Sequence, residues 1–250
     1  MRSQNIPWIF LRGLMRDQRH WGGFPDLFRA ELNAEVCTLD LPGNGLLNQL
    51  DSPASVPALS QWVRAELLQH GLQPPYRVFA MSLGAMVAVA WADTTPQEID
   101  ACVLVNTSLR PVSPFYQRLR PAAWPLLARM ALGKPSAAEA EAAILRLTSA
   151  QFEPRHAVLS DWQAWREALP VSRRNALRQL LAAARYSAPP QKPSTRLLLL
   201  TGAGDRLVDT RCSQALANRW QCSLRCHPSA GHDLPLDDPQ WVVQQMQQWL

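Results

Sequence analysis

Ser82 stands in the run Ala80-Met81-Ser82-Leu83-Gly84, directly behind a short apolar run and directly ahead of an apolar stretch at 85–91. A hydroxyl in a sharp turn between a strand and a helix is the setting of a nucleophile elbow. Small residues two positions to either side let strand and helix approach closely there. Ala80 fills the first small position, where glycine is more usual. A serine at a helix start can equally be an N-cap, so the motif needs companions. Asp205 follows the apolar run Leu197-Leu198-Leu199-Leu200 through the turn Thr201-Gly202-Ala203-Gly204, and His232 follows Ser229-Ala230-Gly231 near the chain's end. The order Ser, Asp, His is that of the hydrolase elbow rather than that of chymotrypsin or subtilisin.

These types make a coherent chemical unit. A serine hydroxyl is inert at neutral pH unless a base takes its proton during attack, and an imidazole with a pKa near ~6.5 suits that task. An acid behind the imidazole fixes its tautomer and stabilises the imidazolium. The helix beginning after Ser82 presents unpaired N–H groups, so the Leu83 N–H can meet a developing oxyanion. Asp209 is a rival for the acid, Asp233 sits awkwardly beside the histidine, and Asn106-Thr107-Ser108 offers no acid at all.

The elements that must position these groups are legible as alternating patterns. Strand-like apolar runs fall at 8–11, 35–39, 77–81, 101–106, 196–201 and 223–227. Several are continuous, as a parallel sheet covered on both faces requires. Between them lie helical patterns such as 57–69, with Leu59, Val63 and Leu67 on one face and Gly71 as a stop, and 239–250 at the end. The expectation is a doubly wound α/β domain: a mostly parallel six-stranded sheet with helices on both faces, and ligand groups at its carboxyl edge. Residues 109–192 carry no strand pattern. Helical stretches at 114–132, 136–148, 154–169 and 171–186, punctuated by prolines, predict an all-helical lid inserted after the fourth strand. It belongs to the domain formed by 1–108 and 193–250 rather than standing alone.

Composition excludes other classes. With 250 residues, 47% hydrophobic and 18% charged, the chain can bury a large core and is not disordered. The five cysteines are odd in number and lack a disulfide or metal spacing; Cys222, Cys226 and His227 have no second pair. No metal or other cofactor is expected. The longest mostly apolar run, 79–92, has 14 residues, short of the roughly 20 a membrane span needs. The start carries no signal-peptide pattern. A cytoplasmic protein is expected. His20, His70, His156 and His227 read as structural or surface residues, and Trp124, Trp162 and Trp165 as packing between lid and core.

Taken together, Arg12-Gly13-Leu14 after the first strand, Asp40-Leu41-Pro42-Gly43-Asn44-Gly45 after the second, the elbow at Ser82, the turn at Asp205 and Gly231-His232 resemble the α/β-hydrolase superfamily over nearly the whole chain. In size and layout the sequence is similar to its lid-bearing serine carboxylesterase branch, typified by pimeloyl-acyl-carrier-protein methyl ester esterase. The resemblance implies Ser82 as nucleophile, His232 as general base, Asp205 as its orienting acid, and the N–H groups of Leu14 and Leu83 as the oxyanion hole. It implies an ester substrate with a hydrophobic acyl part; thioesterases and C–C bond hydrolases use the same triad. Arg12 departs from the family, which usually has a histidine before this glycine, and the change is expected to alter support of that loop.

The net charge is +5, and of 25 cations only Lys134 and Lys192 are lysines. Residues 109–192 hold 13 cations and 5 acids, so the lid is strongly basic on a mildly acidic core. Arg174, Arg178 and Arg185 fall on one side of the 171–186 helix, beside an apolar face of Leu177, Leu180 and Ala184. That side is either a solvated face or a dock for an acidic carrier such as acyl carrier protein or the phosphates of coenzyme A. No nucleic-acid-binding motif is present.

Overall fold

The computed structural model describes residues 6–133, 135–151 and 156–250. Its six strands are β1 (Trp8–Leu11), β2 (Val36–Leu39), β3 (Tyr76–Met81), β4 (Ile99–Val105), β5 (Arg196–Gly202) and β6 (Ser223–His227). They form one sheet in the order β2-β1-β3-β4-β5-β6, every pair parallel. The order reverses direction at β1 and β3, and ligands in such sheets bind beyond the carboxyl ends near that reversal. Leu11 at the end of β1 stands beside Leu39 of β2 and Ala80 of β3. The loops that carry Gly13, Ser82, Asp205 and His232 therefore leave from one edge.

Between the strands run α1 (Phe24–Leu32), α2 (Val56–Gln69) and α3 (Leu83–Thr94), and five helices follow β4: α4 (Phe115–Arg118), α5 (Trp124–Leu132), α6 (Ala137–Thr148), α7 (His156–Ala168) and α8 (Arg173–Arg185). The chain then passes α9 (Arg211–Trp220), α10 (Leu234–Asp237) and α11 (Pro239–Trp249). One face of the sheet is covered by α2, α3 and α9, the other by α1, α10 and α11. The first face packs aliphatic side chains such as Leu59, Val63, Val87 and Leu199; the second is aromatic, with Phe10, Phe24, Phe28 and Phe79 in mutual ring contact. Every residue of α3 from Leu83 to Ala92 is buried, which explains its apolar composition on all sides.

The helical stretch expected at 114–132 divides into α4 and α5 at its internal Pro121. Arg120 adopts extended backbone (φ −61°, ψ 135°) before Pro121, as a residue preceding proline is pushed to do. The start of the helix expected at 154–169 lies outside the described residues, as does Lys134. Among the described residues no helix is long and apolar enough to cross a membrane.

Candidate active site

Ser82 links β3 directly to α3 with φ 51° and ψ −112°, a left-handed conformation that a non-glycine residue holds only where its surroundings enforce it. Those surroundings are close. The Ser82 N–H donates to Val105 O at 3.0 Å, and the Thr107 hydroxyl donates to Ser82 O at 3.2 Å. A side chain at Gly84 would stand 2.5 Å from Leu11 O and 2.6 Å from Arg12 O, so glycine alone lets α3 begin this near β1. At Gly13 an added carbon would come within 3.1 Å of Ser82 Cβ, which places the loop after β1 against the serine. Ser82 itself is half-buried. The Leu14 and Leu83 N–H groups are used in no hydrogen bond among the described residues.

Asp205 and His232 meet across the ends of β5 and β6. Asp205 Oδ2 lies 2.7 Å from His232 Nδ1, and Oδ1 accepts from Leu207 N and Val208 N at 2.8 and 2.9 Å. Both residues are buried. Three acceptor contacts leave the carboxylate a single orientation, facing the ring. Asp209, the rival acid, is bound at both oxygens by Arg211 instead. Burial by itself opposes the imidazolium, but the charge and hydrogen bond of Asp205, joined by the Asp233 carboxylate, outweigh it and raise the His232 pKa.

Sequence reasoning missed the residue that ties these pieces together. Asn106, at the end of β4, has a positive φ of 47°. Its amide donates to Gly231 O at 3.1 Å and His232 O at 2.7 Å, and its carbonyl accepts from Gly202 N at 3.1 Å. Asn106 and Thr107 thus hold the His232 loop, the Asp205 strand and the Ser82 carbonyl from adjacent positions. A polar pair directly after a continuous apolar strand was the available signal. The structure brings Asp205 to His232, whereas the Ser82 hydroxyl makes no hydrogen bond to the imidazole; such contacts commonly tighten only around substrate.

The loop after β1 is fastened from several sides. Arg12 pairs with Asp233. The Met15 N–H donates to Gln179 Oε1 at 2.9 Å, while Gln179 Nε2 donates to Asn44 Oδ1 at 2.8 Å. Arg16 Nη1 donates to Glu141 Oε2 at 2.7 Å, and Arg166 Nε to Glu141 Oε1 at 2.5 Å. Glu141 is 1% exposed. Burial opposes its charge, yet the two arginines hold its pKa below the ordinary value. His20 is structural: it lies between Trp162 and Trp165, and burial together with Arg16 pushes its pKa down to about 4. Trp162 is buried and Trp124 exposed.

Helix α8 turns its polar residues inward. Leu177 and Leu180, two residues of the apolar face read beside the arginines, are 57% and 49% exposed, and Asn175, Gln179 and Ala182 are buried. The backbone explains this orientation. The loops at 42–52 present carbonyls that need donors, and Asn175 supplies Asn48 O and Leu50 O while Gln179 supplies Pro42 O. Of the three arginines singled out, Arg174 pairs with Asp51 at 2.9 Å, Arg178 donates to Ser52 O, and Arg185 is exposed.

A cleft of about 360 Å3 opens on the acid side, lined by Arg120, Leu147, Gly204 and Asp205 among others; Ser82 is not in its wall. Among the described residues, no three His, Cys, Asp or Glu side chains gather as a metal site.

Residues 8–245 match the model of the alpha/beta hydrolase family. A search of curated proteins finds no match. Solved structures with the same fold include a thermophilic esterase from Thermogutta terrifontis, at 21% identity and a TM-score of 0.75, covering 98% of this chain and 89% of that one. A hydrolase from Pseudomonas aeruginosa shares 19% identity at a TM-score of 0.76, covering 99% and 90%. An alpha/beta hydrolase fold protein from Chitinophaga pinensis shares 19% at 0.73, covering 97% and 88%.

Proposed function

This chain belongs to the alpha/beta hydrolase family, and from that premise we propose that it cleaves a carboxylic ester with a hydrophobic acyl part through an acyl-enzyme on Ser82. The observation that carries the reading is the buried 2.7 Å bond between Asp205 Oδ2 and His232 Nδ1, in a loop held by Asn106, whose neighbour Thr107 holds the carbonyl of a serine at positive φ. With Nδ1–H bonded to Asp205, the ring's Nε2 is left with its lone pair for the serine proton. Ser82 Oγ attacks the ester carbonyl, and His232 accepts the proton and returns it to the leaving alcohol. Water then repeats the sequence on the acyl-enzyme. The unengaged N–H groups of Leu14 and Leu83 receive the negative charge that builds on the carbonyl oxygen. The esterase from Thermogutta terrifontis shares the fold and is consistent with this reading.

The base works only when neutral, so activity falls as pH drops through the pKa of His232. That pKa is raised; the acid limb of kcat/KM should therefore lie above the ordinary histidine value of about 6.5. A limb at or below that value would contradict the Asp205–His232 pairing as the working arrangement.

A second reading, cleavage of an acyl thioester on coenzyme A or acyl carrier protein, is favoured by the excess of cations over acids at 109–192. In this reading the helices α4–α8 form the lid, and the exposed Leu177, Leu180 and Arg185 of α8 lie on its outer side. Arg178 is engaged with the core, so the carrier would meet Arg174 and Arg185. Rates on aryl esters of increasing acyl length, run beside matched thioesters, separate the readings. For a carrier-dependent enzyme, Arg174→Glu with Arg185→Glu raises KM for the carrier-linked substrate about tenfold and spares small aryl esters. Equal effects on both would remove the carrier. C–C bond cleavage would appear as activity on neither series.

A further inference from the structure

Arg12 and Asp233 form a buried ion pair that the proposed triad and oxyanion hole do not use. Arg12 Nη1 donates to Asp233 Oδ1 at 3.1 Å and Nη2 to Oδ2 at 2.6 Å, a fork-to-fork contact between residues 221 positions apart. Arg12 is 4% exposed and Asp233 3%. The guanidinium carbon lies 4.6 Å from the Trp21 ring centroid, and Nη1 is 3.2 Å from Met81 Sδ. One planar group, carried by the residue that leads into Gly13 and Leu14, therefore touches Trp21, the residue before Ser82 and the residue after His232.

Burying two charges costs desolvation that an apolar pair of the same volume would avoid. What an apolar pair lacks is a directional two-point link and a charge. We propose that Arg12 and Asp233 are a positioning pair for the general base: the fork sets the spacing between oxyanion loop and His232, and the guanidinium neutralises a carboxylate that would otherwise favour the protonated imidazole. The proposal rests on the reading of Ser82, Asp205 and His232 as the triad. The charged groups acting on the His232 ring are Asp205 and Asp233, which raise its pKa, and Arg12, which lowers it. Asp233 in turn is held charged, against its burial, by Arg12 and Arg16. Removing either partner should therefore displace the ring's titration, with opposite signs.

The test is the pH dependence of the rate at which a fluorophosphonate labels the enzyme, with Ser82→Ala as control. Arg12→Met should move the acid limb up, and Asp233→Asn should move it down, each by roughly half to one pH unit. Arg12→Lys keeps the charge but not the fork. It should leave the limb in place and lower the maximal rate about 10- to 100-fold through misplacement alone. A fold defect would lower the labelled fraction without moving the limb in opposite directions. If Arg12→Met does not accumulate, Asp233→Asn and Arg12→Lys decide between them. The pair is overturned if both charge-removing variants shift the limb the same way or not at all, or if Arg12→Lys labels at the full rate. Labelling that persists in Ser82→Ala would overturn the triad reading instead, and is read separately.

Discussion

Replacing His232 by alanine should lower kcat by about 10^6-fold, and Asp205→Asn should lower it by about 10^4-fold, with KM changed only a few-fold in either variant. The two sizes follow from different losses. Without His232 no group can take the serine proton, and what remains is the oxyanion hole and substrate binding. Asn at 205 keeps an acceptor for Leu207 N and Val208 N, which now bond to Asp205 Oδ1. It would, however, turn an amide N–H toward His232 Nδ1, where a carboxylate oxygen lies at 2.7 Å. The ring then flips its tautomer and places a proton where the lone pair is needed. Both variants should retain the wild-type circular dichroism spectrum. An Asp205→Asn enzyme within tenfold of wild type would mean that another group orients the base.

Glu141→Ala should be the most destabilising single change in the helical insertion, by about 3–5 kcal/mol. Glu141 bonds both Arg16 and Arg166, and its side chain and that of Arg16 are 2% and 9% exposed. Arg166 can swing into water once released, but Arg16 cannot, and an unpartnered buried cation carries the full desolvation penalty. Against a total of about 5–15 kcal/mol this lowers Tm by roughly 6–20 °C. Removing both charges, as Arg16→Met with Glu141→Leu, should recover much of the loss, because the desolvation penalty goes with them. The depressed pKa of Glu141 fixes the pH sense. Its stabilisation is complete above the unfolded glutamate value of about 4.3 and is lost as pH falls through the lower native value. In urea titrations the stability gap between wild type and Glu141→Ala should therefore be smaller at pH 3 than at pH 7.

The sheet and the three residues at its edge were legible because each rests on local pattern. Continuous apolar runs such as Leu197–Leu200 read as buried parallel strands, and small residues around Ser82 announce a tight strand-to-helix turn. The Gly-rich turn before Asp205 and the Gly231-His232 loop follow strands directly, so their side of the sheet could be inferred from the alternation alone. The supports of the site were not legible, because each pairs residues far apart. Arg12 meets Asp233 across 221 positions, Arg16 meets Glu141 across 125, and Met15 meets Gln179 across 164. Spacing carries no information at such separations. Helix α8 shows the same limit from the other side. The pattern gave an apolar face at Leu177 and Leu180 without saying where it points; the loops at 42–52 need hydrogen-bond donors more than apolar cover, so Asn175 and Gln179 face in. Arg12 was recognised as a departure at the oxyanion loop, but its partner could not be named from the sequence.

The most direct measurement is intact-protein mass spectrometry after incubation with a fluorophosphonate, followed by peptide mapping. The account predicts one covalent adduct per chain, mapped to Ser82, absent in Ser82→Ala and slowed by orders of magnitude in His232→Ala. No adduct on the folded wild-type protein, or an adduct that persists in Ser82→Ala, would contradict it.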